Sequence, residues 1–219
     1  IAALLAHGVA SPMKRIARIF ALPLALAVSA CLPSAAAGPG PASAGAPDNA
    51  RAVERLTRIV NDYRQRNGLP RVAYSPLLSR VAQAHVDDMA RQGDGGLDVL
   101  DMRDPRSDQP CNAHSWSDDG DWTPVCFTPD GRYAQAMWDK PKEITRGAYQ
   151  GIGIEIAAWS SRGITPEFAL ELWQGSRAHD EVILERGPWR GSDWQAMGVA
   201  LGGSFAFIWF GKEPDPGSR

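Results

Sequence analysis

Residues 151–156, Gly151-Ile152-Gly153-Ile154-Glu155-Ile156, alternate at period two. A strand with that pattern shows isoleucine on one side and the intervening residues on the other. Glu155 is therefore expected to leave the apolar face. Downstream, Gly198–Leu201, a Gly202-Gly203 turn and Ser204–Phe210 read as a β-hairpin that closes the chain. Upstream, apolar residues recur at three- and four-residue steps. Val53, Leu56, Val60 and Tyr63 predict a helix from Ala50 to Asn67, with Asp48 or Asn49 as cap and Asn67-Gly68 as its end. Ser75-Pro76 opens a second helix, with Leu78, Val81, Ala82, His85 and Met89 buried and a stop at Gly93. A short helix over Arg132–Trp138 is expected to end before Pro141. A further helix starts at Thr165-Pro166-Glu167, with Phe168, Ala169, Leu172 and Trp173 turned inward. Helices first and strands last give an α+β fold.

Before residue 48 the chain does not look like fold. Met13-Lys14-Arg15 to Arg18 is basic, and Ile19–Val28 is an apolar run of ten, too short for a membrane helix of about 20 residues. Together they read as a secretory signal, with residues 1–12 an upstream extension and translation expected from Met13. The run ends Val28-Ser29-Ala30-Cys31, which resembles a bacterial lipobox; Cys31 is the expected lipidation site. Plain cleavage near Ala35–Ala37 is the alternative. Residues 32–47, almost all Ala, Gly, Pro and Ser, form a tether reaching roughly 20–24 Å. The expected organisation is a signal over 1–30, lipidated Cys and tether over 31–47, one domain over 48–212 and a frayed tail over 213–219. The domain is placed in the bacterial envelope, on the outer membrane facing the periplasm.

The whole chain has 219 residues, 23 basic against 25 acidic, and the balance turns more acidic once the signal is set aside. That argues against a nucleic-acid partner, which calls for a basic surplus. There is no Gly-x-Ser-x-Gly elbow, HExxH helix or Gly-rich phosphate loop. Three cysteines exclude a disulfide-dense miniprotein and a four-cysteine zinc knuckle. Cys111 and Cys126 sit 15 apart in the polar stretch 93–130, and export makes a disulfide the natural reading, worth about 3 kcal/mol in loop-closure entropy. Two thiols ligating a metal beside His114 is the alternative. Asp118-Asp119-Gly120-Asp121 lacks the alternation of a calcium loop and reads as a solvated acidic turn. His85, among Val81, Ala82 and Met89, reads as a satisfied core histidine.

Several segments, in order, resemble the CAP superfamily (cysteine-rich secretory proteins, antigen 5 and pathogenesis-related 1) in its bacterial form. They are Asn61-Asp62-Tyr63-Arg64 with Gly68-Leu69-Pro70, Pro76 to His85, Gly153-Ile154-Glu155-Ile156-Ala157, Trp173-Gln174-Gly175-Ser176-Arg177-Ala178-His179, and Gly198-Val199-Ala200. The resemblance implies a three-layer α-β-α sandwich with a small, mainly antiparallel sheet and a cleft holding two histidines and one or two glutamates. Carried over, the metal-binding set is His114, His179 and Glu155, for a divalent, zinc-like cation. Two features depart from the family pattern: Ile156 replaces an asparagine, and Ser176 stands where eukaryotic members have a second glutamate. Trp116, Trp122 and Trp138, with Ser176, are expected to line the cleft, the rings either stacking on a ligand or plugging a loop-rich core.

The resulting expectation is an exported lipoprotein whose cleft binds a small or extended, lipid-like or glycan-like ligand together with the cation. Cation binding is expected to weaken as pH falls through about 6.5, because protonated imidazole has no lone pair to donate. Two other readings stand beside it. One is a hydrolase using Glu155 and His114 as catalytic acid–base groups; the other is an envelope interaction module without a working site.

Overall fold

A computed structural model describes residues 46–92 and 102–217. The signal, Cys31 and the tether up to residue 45 lie outside the described residues. In chain order the elements are α1 (Ala46–Arg66), β1 (Ala73–Tyr74), α2 (Pro76–Arg91), α3 (Ala134–Trp138), α4 (Lys140–Ile144), β2 (Gly153–Trp159), α5 (Pro166–Gly175), α6 (Arg177–Ile183), a 3-10 turn (Gly187–Trp189), β3 (Ala196–Gly202) and β4 (Phe205–Gly211). Among the described residues no helix is long and apolar enough to cross a membrane.

The strands form one mixed sheet in the order β1-β3-β4-β2. β1 runs parallel to β3, while β3–β4 and β4–β2 are antiparallel. Register places Ile154, Ile156 and Ala158 beside Phe210, Ile208 and Ala206, and these beside Met197, Val199 and Leu201. That face is covered by Leu56 and Val60 of α1, Ala169 and Trp173 of α5, and Ile183 of α6. The opposite face alternates in size: β4 contributes Phe205, Phe207 and Trp209, flanked by Gly198 and Ala200 on β3 and by Glu155 and Ala157 on β2. α2 lies on this face through Leu78, Val81, Ala82, Val86 and Met89, with Met137 of α3 and the loop residues Trp116 and Val125 beside it. Helices thus cover both sides of the sheet, in three layers.

α2 can approach so closely because β3 is small beneath it. A Cβ at Gly198 would collide with the backbone of Leu78, and one at Gly202 with the side chain of Val86. α2 begins as expected, with Ser75 as N-cap accepting from the amide of Leu78 at 3.0 Å and Pro76 in the first turn. The α1–β1 turn is closed by side chains. Asn61 exchanges two hydrogen bonds with the backbone of Val72, at 2.8 and 3.0 Å, as a strand neighbour would. Arg64, wholly buried, donates to the carbonyls of Pro70 and Ile183 and pairs with Glu185 at 2.7 Å.

Several expectations are corrected. α1 begins at Ala46 rather than near Ala50. The short helix α3 ends at Trp138, before Pro141, as expected, but begins at Ala134 rather than Arg132; Pro141 itself sits in the first turn of α4, where its missing N–H has no intrahelical role. Phe168 and Leu172 are exposed, and Leu170 is buried in their place: the inward stripe of α5 is Ala169, Leu170 and Trp173. Ile152 precedes β2 and is exposed. β1, two residues long, carries no periodic signal of its own. The tail does not fray at residue 213. The carbonyl of Glu213 accepts from the Tyr149 hydroxyl at 2.7 Å, and buried Asp215 accepts from the Ser75 hydroxyl (2.6 Å) and the Leu77 amide (2.9 Å) at the start of α2.

Candidate functional site

Four parts of the fold bring chemistry-bearing groups: α2 carries His85, β2 carries Glu155, the loop between α2 and α3 carries His114, and α6 carries His179. The loop is held in two ways. Cys111 and Cys126 are joined in a disulfide with Cα atoms 5.0 Å apart, as expected from the sequence, which removes the thiol-ligand alternative. α2 also grips it directly. His85 reaches the carbonyl of Ser115 at 2.9 Å. Asp88, three residues on and so on the same helix face, accepts from the amide and hydroxyl of Ser117 at 3.0 and 2.5 Å.

Glu155 leaves the isoleucine face, as the alternation predicts, but not for solvent. It is 4% exposed, because α2 and this loop roof that side of the sheet. Its Oε1 lies 2.6 Å from His85 Nδ1 and its Oε2 lies 2.8 Å from His114 Nδ1. Burial pushes the carboxyl upward, but the charge of His85 and the hydrogen bonds from both His114 and His85 outweigh it and hold Glu155 below the usual glutamate range. An ionised carboxylate only accepts, so both Nδ1 atoms donate. The Ser115 carbonyl also only accepts, so His85 carries hydrogen on both ring nitrogens. His85 stacks on Trp116 (centroids 4.1 Å apart, planes at 15°) and on Phe207 (4.2 Å, 18°).

In His114 the remaining ring nitrogen is Nε2. The side chain is 18% exposed, its ring meets Phe127 edge-on at 5.6 Å, and its amide donates to Asn112 Oδ1 at 3.0 Å. His179 is half-buried on α6, just past the break between α5 and α6 at Ser176. Burial above all lowers its pKa to about 4, so it is a neutral imidazole with a lone pair at neutral pH.

Among the described residues no group of three or more His, Cys, Asp or Glu side chains is arranged to hold a metal ion. The expected set of His114, Glu155 and His179 is therefore revised: Glu155 spends both oxygens on Nδ1 atoms and stands behind His114 rather than beside it as a ligand. His85, assigned to the core, is buried and satisfied as expected, but by Glu155. A polar residue in a mostly apolar helix stripe, shared with buried Asp88, is the signal that could have pointed to it. The aromatic expectations divide. Trp116, at 1% exposure, is core and lines nothing; Trp122 is half-buried and edge-on to Trp116, and Trp138 packs partly buried against both faces of the core. Ser176 ends α5 and begins α6 without a side-chain cap bond. Asp118, Asp119 and Asp121 are exposed, as a solvated turn requires.

The model of the Cysteine-rich secretory protein family matches residues 57–179, more than half of the chain. The chain belongs to this family. The match begins inside α1 and ends at His179, so the closing hairpin of this CAP domain lies beyond it. Among solved structures, an extracellular protein containing a SCP domain from Bacillus anthracis is similar at 16% identity and a TM-score of 0.50, over 80% of this chain and 45% of that one. A cysteine-rich secretory protein from Staphylococcus aureus gives 13% and 0.46, over 77% and 40%. An outer surface protein from Borrelia burgdorferi gives 15% and 0.45, over 74% and 93%. The CAP chain thus spans less than half the length of the first two, and the likeness is one of fold. No curated protein matches it.

Proposed function

We propose that this CAP protein is an exported, Cys31-anchored lipoprotein whose cleft binds a divalent, zinc-like cation between His114 and His179. A small or extended, lipid-like or glycan-like ligand would be held over it. The observation that carries this is the bond from His114 Nδ1 to Glu155 Oε2: it leaves the lone pair on Nε2 of a partly exposed side chain. A carboxylate behind a histidine is the usual support for a metal-binding imidazole, fixing its tautomer and raising its basicity. His179 supplies a second neutral imidazole and, with its pKa near 4, keeps its lone pair well below the pH of about 6.5 expected from an unperturbed ring. Hydrolysis with Glu155 as base is not favoured, because both oxygens already accept from rings and the side chain is buried.

The test is titration of the purified protein with Zn2+ and Co2+ at neutral pH. One ion per chain is expected, with binding lost in His114→Ala and in His179→Ala and kept in Asp118→Ala. Equal binding by wild type and both histidine variants would defeat the site. The anchor is tested separately: Cys31→Ser should release the protein from membranes.

A further inference from the structure

We propose that His85 is the positioning residue of this site. It fixes the Glu155 carboxylate and the His114 segment together, so that His114 is held as the Nδ1–H tautomer with Nε2 as its lone-pair nitrogen. The inference rests on the reading of His114 given above but makes a claim about the protein in the absence of any ion.

Three constraints act on the His85 ring. Trp116 and Phe207, both nearly parallel to it at about 4 Å, hold its plane from its two faces. In that plane Nδ1 holds Oε1 of Glu155 at 2.6 Å and Nε2 holds the carbonyl of Ser115 at 2.9 Å, on the other side of the ring. Two opposed bonds in a clamped plane leave the ring no rotation by which its N–H could be withdrawn from Glu155 Oε1. The carboxylate, tied at Oε1, then presents Oε2 to His114. Ser115 is the residue after His114, so one ring sets both the acceptor for His114 and the backbone that carries it. The Ser115 hydroxyl, accepting from the Phe127 amide at 2.9 Å, and the Cys111–Cys126 bridge brace the same segment.

A merely structural histidine would be a poor choice here. The slot between two aromatic rings suits a phenylalanine, and exchanging a buried polar ring for an apolar one of similar shape often costs little when no buried charge depends on it. What phenylalanine cannot do is hold Oε1. With that bond gone the carboxylate is free to rotate or to take a proton, and a protonated oxygen facing His114 would serve the opposite tautomer as well.

The experiment is long-range 1H–15N correlation of the histidine rings in the metal-free full chain, with His85→Phe and His85→Asn beside wild type. An asparagine side-chain nitrogen falls near the position of Nδ1, so His85→Asn keeps the donor to Glu155 while giving up the bond to Ser115. In wild type, His85 should carry hydrogen on both nitrogens and His114 on Nδ1 alone. His85→Phe should convert His114 to a mixed or Nε2–H signature, and its Zn2+ affinity should fall about 10–100-fold, as for the loss of other outer partners of metal-binding histidines. His85→Asn should restore the Nδ1–H signature. An Nε2–H signature for His114 in the wild type overturns the proposal without any variant, so a variant that fails to fold does not shelter it. A folded His85→Phe with His114 unchanged overturns it equally. If the tautomer follows His85 as described and no Zn2+ binds, the positioning role stands and the cation site falls.

Discussion

Replacing Glu155 with glutamine changes one atom and one charge at the centre of the molecule, and its cost follows from the geometry. Two ring N–H groups point at the carboxylate, 2.6 and 2.8 Å away. A glutamine amide offers one accepting oxygen, so its NH2 must face the other donor. His85, wholly buried and hydrogen-bearing on both nitrogens, also loses its counter-charge. Breaking a buried pair by changing one partner costs about 3–5 kcal/mol, a large share of a total stability of roughly 5–15 kcal/mol. For a domain of this size each kcal/mol moves the midpoint by about 2–4 °C, so Glu155→Gln should melt roughly 6–20 °C below wild type. Tryptophan fluorescence during thermal and urea unfolding is a direct assay, since Trp116 lies against His85. Adding His85→Phe to Glu155→Gln should recover part of the loss, because the stranded donor leaves with the charge. A single variant melting within about 2 °C of wild type would refute the buried pair.

The protein should be acid-sensitive. His179 has its pKa lowered to about 4 in the folded state, so the unfolded chain takes its proton first, near 6.5. Stability present above that pH is lost as pH falls from about 6.5 towards 4, by about 1–2 kcal/mol once solvent screening of the half-exposed ring is allowed for. Glu155, also held low, extends the loss below the usual glutamate range. Urea midpoints across pH should show this slope and lose its upper part in His179→Gln; an unchanged slope would tell against the burial of that ring. Gly198→Ala should destabilise by about 1–3 kcal/mol through overpacking of α2 on β3, seen as a lower urea midpoint, whereas an unchanged midpoint would mean that the two are not in contact. Removing the bridge with Cys111→Ser and Cys126→Ser should cost up to about 3 kcal/mol. Proteolysis should then cut near His114 before the helices, and cleavage elsewhere first would show that the loop does not depend on the bridge.

The sequence by itself determined the elements whose signals are local. Period-two alternation marked β2, Ser75-Pro76 marked the start of α2, Gly202-Gly203 marked the closing turn, and a 15-residue spacing behind an expected secretory signal marked the disulfide. It also brought Glu155, His114 and His179 forward as the residues to watch. Tertiary structure decided how they are used. Whether the second face of β2 meets water depends on what lies over it, and α2 lies there only because Gly198 and Gly202, more than 40 residues away in the chain, leave room. Covering that face turned Glu155 from an exposed ligand into a buried carboxylate that needs donors. His85, read from its own helix as filler, became the first of them. Whether a polar residue within an apolar stripe is filler or functional is settled by its partner, and His85's partner is 70 residues downstream on another layer. Periodicity along one helix carries no information about a contact of that range.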